Sequence, residues 1–177
     1  RRLYTASARR ASHICAISEF TRQTLIARLG IQPDRVTTTH LAADPVFQPG
    51  SAARGNPRPV LQKYGLAAGD YVLFPGNTWP HKNHALLFEA FALVRRTRPD
   101  LRLVLTGVGH DAATLPSGVE ARSVSGGELI ELYRRAACLV FPSLYEGFGL
   151  PPIEAMASGC PVAAARAGSL PEVCADA

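Results

Sequence analysis

Cys138-Leu-Val-Phe-Pro-Ser-Leu-Tyr-Glu-Gly-Phe-Gly-Leu-Pro-Pro-Ile-Glu-Ala-Met-Ala-Ser-Gly-Cys-Pro-Val-Ala-Ala164 reads as a strand, a glycine-rich loop, a helix and a second strand. Cys138 to Phe141 is apolar at every position rather than at alternate ones, which predicts burial on both faces. Pro142 closes it. Leu150 to Ser158 reads as a helix, with Pro151 and Pro152 in a first turn where a missing N–H does no harm. Gly159 stops the helix, and Pro161 to Ala164 forms the next short strand.

The same alternation extends backwards. Tyr71 to Phe74 is a strand stopped by Pro75-Gly76. Asn83 to Arg98 is a helix with Leu86, Leu87, Ala90, Phe91 and Val94 on one face, ended by Pro99. Leu101 to Leu105 is a strand leaving through Thr106-Gly107, and a weak strand follows near Val119 to Ala121. Gly127 to Ala137 is an amphipathic helix with Leu129, Ile130, Leu132 and Tyr133 inward. Strands and helices alternating at this spacing predict an α/β fold, a doubly wound parallel sheet. The first 47 residues repeat the style once: strand His13 to Ile17, helix Glu19 to Leu29 with Ser18 as N-cap and Gly30 as stop, strand Val36 to Thr39. One such unit cannot bury both its faces, so it belongs to a larger domain or leans on a partner. Residues 48–59, with three prolines and two glycines, read as a linker.

Composition narrows the class. The chain has 177 residues and is 47% apolar, as expected of a globular protein with a real core. Its longest apolar run, Ala136 to Phe141, is far too short for a bilayer. Arg1-Arg2 is not followed by the apolar stretch of a signal peptide, and a first residue other than Met is what an excerpt of a longer protein would have. Cys15, Cys138, Cys160 and Cys174 form no CxxC. Cys15 and Cys138 lie in apolar strands, so reduced core thiols in a cytoplasmic protein are expected. The net charge of +5 sits in residues 1–60, whose nine Arg against three acids leave +6. That excess suits peripheral contact with the inner face of a membrane, an anionic acceptor, or plain solvation. Basic residues are not interleaved with aromatics as nucleic-acid binding would require.

Ligands of an open parallel sheet bind beyond the C-terminal strand ends. Two loops there carry unusual chemistry: Pro75 to Asn83, with Gly76, Asn77 and Lys82, and Ser143 to Pro151. Gly147 and Gly149 let the backbone approach a ligand, and the following helix start attracts an anion. Lys82 adds a full positive charge. Glu146 and Glu154, with seven residues between them, are poorly placed for phosphate but well placed to accept hydrogen bonds from sugar hydroxyls. For Glu154 the plainer alternative is an acid in the first turn that complements the helix dipole. A ribose, a diphosphate and a sugar in one ligand would satisfy the whole set. No Asp-x-Asp and no ligand-spaced His/Asp/Glu cluster argues for a metal, so none is expected.

Glu146-Gly-Phe-Gly-Leu-Pro-Pro-Ile-Glu154 resembles the E-x7-E element of family 4 glycosyltransferases, which have the two-domain GT-B fold. The longer run from Phe141 to Val162, Pro80-His-Lys-Asn83, Ser169-Leu-Pro-Glu-Val173 and Ala16-Ile-Ser-Glu-Phe-Thr21 are similar to that family's pattern in the right order, covering most of residues 12–173. The resemblance implies a Rossmann-like C-terminal domain over residues 60–177, with residues 1–47 the tail of the N-terminal acceptor domain. It implies retaining transfer of a hexose from a nucleotide diphosphate sugar, the co-substrate, to a saccharide or lipid-linked acceptor held by the rest of the N-terminal domain. By carry-over, Lys82 and the N–H groups of Gly149 and Leu150 hold the diphosphate, and Glu154 the ribose. Glu146 and the backbone of Gly147 and Phe148 hold the sugar. The base lies near Gly107 and the segment from Ala121 to Leu129. Glu146 is the catalytic candidate, close to the reacting carbon, although same-face attack does not make it a nucleophile. Two departures stand out. Gly76-Asn77-Thr78 replaces a stretch that often carries Arg, leaving Asn77 a neutral hydrogen bond to offer. None of the five histidines matches the one the acceptor domain supplies; His81 and His84 read as solvent-facing residues at a helix start.

Two rivals differ in class. Gly107-Val-Gly-His-Asp-Ala112 after a strand, with Glu128 further on, imitates a dinucleotide-binding oxidoreductase. That fingerprint must open a long helix, which Leu115-Pro-Ser-Gly118 interrupts. The other rival is a non-catalytic nucleotide-sugar-binding subunit of a split enzyme.

Overall fold

The computed structural model describes residues 2–50 and 58–175. The linker reading at 48–59 falls largely on residues 51–57, outside the described residues.

Five parallel strands make the main sheet: β3 (Tyr71–Pro75), β4 (Arg102–Thr106), β5 (Val119–Arg122), β6 (Cys138–Phe141) and β7 (Val162–Ala164), in the order β5-β4-β3-β6-β7. Leu73, Phe74, Leu103, Val104, Leu105, Leu139 and Phe141 are fully buried. For β3 and β4 the unbroken apolar runs have the physical cause anticipated for them, burial on both faces, whereas β6 buries Leu139 and Phe141 fully and leaves Cys138 and Val140 only partly covered. α4 (His84–Val94) links β3 to β4, and α6 (Leu150–Ala157) links β6 to β7 in the opposite direction. Right-handed crossovers therefore set these two helices on opposite faces. α5 (Gly126–Arg135) returns the chain from β5 to β6, with Leu132 and Tyr133 completely buried. Ser125 and Glu128 form a reciprocal capping box at its start. Glu128 also binds Lys63 of α3 (Arg58–Tyr64) at 2.6 Å; that bond and the Ser125 cap lower its carboxyl to about 2. This structural duty accounts for the residue that imitates a dinucleotide acid. The chain after Gly107 and Gly109 makes one short turn at Ala112–Thr114 rather than a long helix.

The N-terminal unit holds α1 (Arg2–Arg10) and a parallel pair, β1 (Ile14–Ala16) and β2 (Val36–Thr38), joined by α2 (Glu19–Leu29). Ser18 caps α2 by accepting the Thr21 N–H at 3.0 Å, and Gly30 ends it at φ 66°. Ala16, Ile31 and Val36 form a small core of their own.

Several expectations need correction. Leu86, Ala90 and Val94 lie exposed on α4, which buries only Leu87 and Phe91. One apolar side of that helix meets the sheet, so the wide stripe is half used. Cys15 is exposed, because β1 is covered on only one face. Glu154 is the fifth residue of α6, past the first turn, so complementing the helix dipole does not explain it. α1, α3 and α7 (Leu170–Cys174) were not anticipated as helices.

Candidate functional site

The strand order reverses between β3 and β6, the place where an open α/β sheet forms its crevice. The loops leaving these two strands are tied together. The Leu144 N–H donates to the His81 carbonyl at 2.8 Å, and Asn83 Nδ2 donates to the Pro142 carbonyl at 3.3 Å. Asn83 takes φ 58°, which turns the chain from the Pro80–Lys82 turn into α4. That turn delivers Lys82 to Glu146: Nζ lies 2.8 Å from Oε1, with the two side chains only 13% and 14% exposed. The ammonium also sits 4.6 Å above the centre of the Phe141 ring. Lys82 and Glu146, anticipated in one crevice, are brought into direct contact.

The glycine-rich loop is bolted from one side. Ser169, fully buried, offers its N–H to the Glu146 carbonyl at 3.3 Å and its hydroxyl to the Phe148 carbonyl at 2.7 Å. The peptide bonds are trans, so each pinned carbonyl turns the following N–H the other way. Gly147 and Gly149 N–H therefore point away from Ser169. Among the described residues, the N–H groups of Gly147, Phe148, Gly149 and Leu150 donate to no protein acceptor. Gly149 stands at φ 111° as the cap of α6, which a side chain would oppose both by conformation and by contact with Leu170. The Phe148 ring is buried, leaving only its backbone to the crevice.

Glu154 is half-buried and accepts a hydrogen bond from the Tyr133 hydroxyl at 3.0 Å. Burial pushes its carboxyl above the usual range, and the tyrosine bond only partly offsets this. Asn77 is occupied: its Oδ1 accepts the Val108 N–H at 2.9 Å, bracing the two loops that follow β3 and β4. Gly107, at φ 116°, packs on the Gly76 carbonyl, where a Cβ would come within 2.7 Å. Gly76 and Gly107 are thus a backbone-to-backbone junction beside the crevice. Leu129 packs partly against the core from α5. His84 is not solvent-facing. It is wedged against Phe74, Phe88 and His110, its Nε2 is buried without a partner, and desolvation lowers its basicity.

Some contributors were missed by sequence reasoning. Gly168, at φ 60°, lies against the Glu146 backbone, and Ser169 follows it. Glu172 binds the start of α2, accepting from the Glu19 N–H at 2.7 Å and the Phe20 N–H at 3.1 Å. Burial pushes the Glu172 carboxyl up, but these donors and His40 at 2.5 Å together hold it below its ordinary value. Their only sequence signal was the Ser169-Leu-Pro-Glu-Val173 stretch. Among the described residues no group of three His, Cys, Asp or Glu is arranged to hold a metal ion.

Residues 62–177 match the family model described as glycosyl transferases group 1. The chain belongs to that family. Among group 1 relatives, it is 38% identical over 179 residues to O-antigen chain mannosyltransferase B of Escherichia coli, an alignment covering 94% of this chain and 46% of the relative. It is 32% identical over 167 residues to D-inositol 3-phosphate glycosyltransferase of Segniliparus rotundus, covering 78% of this chain and 36% of that one. The chain therefore spans less than half the length of these relatives. The solved structure of Anabaena HepE with UDP-glucose superposes with a TM-score of 0.80 at 22% identity, covering 97% of this chain and 50% of that one. The fold is that of the GT-B glycosyltransferases of the group, α/β and Rossmann-like over the main sheet. No helix among the described residues is long and apolar enough to cross a membrane.

Proposed function

We propose that residues 60–177 form the donor half of a retaining hexosyltransferase of family 4, and that residues 1–47 belong to its acceptor domain. The observation that carries this reading is the Lys82–Glu146 pair, set beside four unpaired N–H groups at the switch point of the sheet. Lys82, the N–H groups of Gly149 and Leu150 and the α6 dipole neutralise the diphosphate, so no metal is needed. Glu154 keeps one carboxylate oxygen for the ribose while Tyr133 holds the other. Glu146 and the Gly147-Phe148 backbone take the transferred sugar, and the base lies by Gly107, Asn77 and Leu129. In the reaction the bond from the anomeric carbon to the diphosphate oxygen breaks, the acceptor oxygen bonds the same face, and its proton leaves with the diphosphate. The mannosyltransferase name of the Escherichia coli relative supports a hexose, and the acceptor is a saccharide or is lipid-linked. The basic N-terminal third suits work at the cytoplasmic face of a membrane.

Calorimetry in EDTA with UDP-, GDP- and ADP-sugars and the matching diphosphates tests this. At least one nucleotide binds without added metal. Glu154→Ala weakens both ligands of the matching pair about tenfold, the worth of a hydrogen bond to a charged group. Glu146→Ala weakens only the sugar nucleotide, because the diphosphate then meets an unpaired Lys82. Equal losses for both variants on both ligands would sink the assignment, and binding abolished by EDTA would contradict the metal-free site.

Glu154 also predicts a pH signature. Its folded pKa is raised, so its contribution to stability is full below the unfolded value and is lost as pH rises through the folded one. Glu154→Gln keeps an acceptor for Tyr133 and cannot ionise. It is expected to melt higher than the parent at pH 7, where the parent's carboxylate is ionised against the burial that raises its pKa. The gain shrinks at pH 4. A gain that grows toward acid would contradict the argument.

A further inference from the structure

The glycine-rich loop is gripped from a second side, by the other sheet's helix. Ser18, fully buried, places its hydroxyl 2.6 Å from the Gly147 carbonyl, and the Thr21 hydroxyl lies 3.1 Å from the same oxygen. The two hydroxyls are 2.9 Å apart. Ser18 is the N-cap of α2 and Thr21 lies in its first turn, and that turn is held by the Glu172 carboxylate through the Glu19 and Phe20 N–H groups. Glu172 rises from α7, directly after the Ser169 that pins the neighbouring carbonyls. Around this joint, His40 stacks on Phe148 and Phe20 meets Tyr145 edge-on.

These contacts alternate. Ser169 takes the carbonyls of Glu146 and Phe148, and Ser18 with Thr21 takes the one between them. Pinning the Gly147 carbonyl fixes the peptide plane it shares with Phe148, and so fixes where the Phe148 N–H points. A glycine is the residue least able to fix its own plane. Among the described residues, these two hydroxyls are the donors that hold the Gly147 oxygen.

We infer that Ser18 and Thr21, steadied by Glu172, are positioning residues that aim the Phe148 N–H at the donor's sugar end. The inference rests on the donor-site reading and extends it to residues outside the main sheet. The two hydroxyls touch the loop rather than the ligand. Their effect therefore falls on the group that the Phe148 N–H meets, the sugar, and not on the diphosphate, which Lys82 and the Gly149 and Leu150 N–H groups hold.

The test uses the 177-residue chain and its double variant Ser18→Gly/Thr21→Val. Glycine is accepted at an N-cap nearly as well as serine, so α2 survives the loss. Valine keeps the shape of threonine without its hydroxyl. Calorimetry with the same nucleotide panel is run beside thermal melting. The double variant is expected to lose about tenfold in affinity for the sugar nucleotide, the scale of one well-aimed hydrogen bond. The matching diphosphate changes less than twofold. Thr21→Ser, which restores a hydroxyl next to the native Ser18, binds like the parent. Unchanged sugar-nucleotide binding in the double variant overturns the positioning role alone, as do equal losses on both ligands. No binding of any panel member by the parent chain overturns the donor reading and this role with it.

Discussion

Lys82→Ala is expected to lower nucleoside diphosphate affinity by at least 30-fold. The side chain is nearly buried, bonded to Glu146 at 2.8 Å and seated on the Phe141 ring. Removing one member of a desolvated, hydrogen-bonded charge pair costs about 2–5 kcal/mol, and each ~1.4 kcal/mol is tenfold. Two effects combine. The diphosphate loses its cation, and Glu146 is left as an uncompensated negative charge beside the place the phosphates occupy. Lys82→Ala/Glu146→Gln separates them. Neutralising the carboxylate should recover part of the affinity but not all of it, and the remainder measures the cation alone. Calorimetry with the diphosphate decides the matter: a single variant within threefold of the parent would show that Lys82 serves Glu146 rather than phosphate.

Gly168→Ala is expected to be strongly destabilising. Gly168 has φ 60°, and a Cβ built there comes within 2.8 Å of the Glu146 nitrogen and 2.9 Å of its carbonyl oxygen. The opposing atoms are backbone, so no side chain can swing aside. A left-handed residue with a Cβ costs ~1–2 kcal/mol, and forced repacking in a close-fitted region typically adds about 1–3 kcal/mol. The sum is a loss of about 2–5 kcal/mol, or about 4–20 °C at the ~2–4 °C per kcal/mol of a domain this size. The damage should be local as well as global, because the displaced residue is Glu146. Sugar-nucleotide affinity of the folded fraction falls along with the melting temperature. A variant that melts within 2 °C of the parent at this sensitivity would refute the clash.

The sheet was legible because its signal is local. Tyr71-Val-Leu-Phe is apolar throughout and buried on both faces; Cys138-Leu-Val-Phe is apolar throughout although only Leu139 and Phe141 are fully buried. The helix bounds followed from caps such as Ser18, Gly30 and Gly159. The outward side of α4 misled, because Leu86 and Val94 continue a helical stripe that the sheet does not reach. The paired loops were legible from Lys82, the two glycines and the two glutamates. Their supports were not. Ser169 acts on the carbonyls of Glu146 and Phe148 over 23 and 21 positions of sequence, and Ser18 on Gly147 over 129. Hydroxyls that bond to distant backbone oxygens leave no periodicity. The role of Tyr133 was hidden differently: its ring fits the inward stripe of α5, and only its hydroxyl, 3.0 Å from Glu154, belongs to the site.

The separate core of the N-terminal sheet is Ala16, Ile31 and Val36, with Ile14, Leu25 and Leu29 partly buried around it. So few apolar side chains give a cooperative unit little stability of its own, and such units are the first to open in a native protein. What anchors it is the polar seam at the start of α2, shared with Gly147 and Glu172. Any opening of the small sheet would strip the Gly147 carbonyl of both hydroxyls. A molecule that orders the glycine-rich loop closes that motion as well, so part of its binding energy is spent as protection of a helix it never touches.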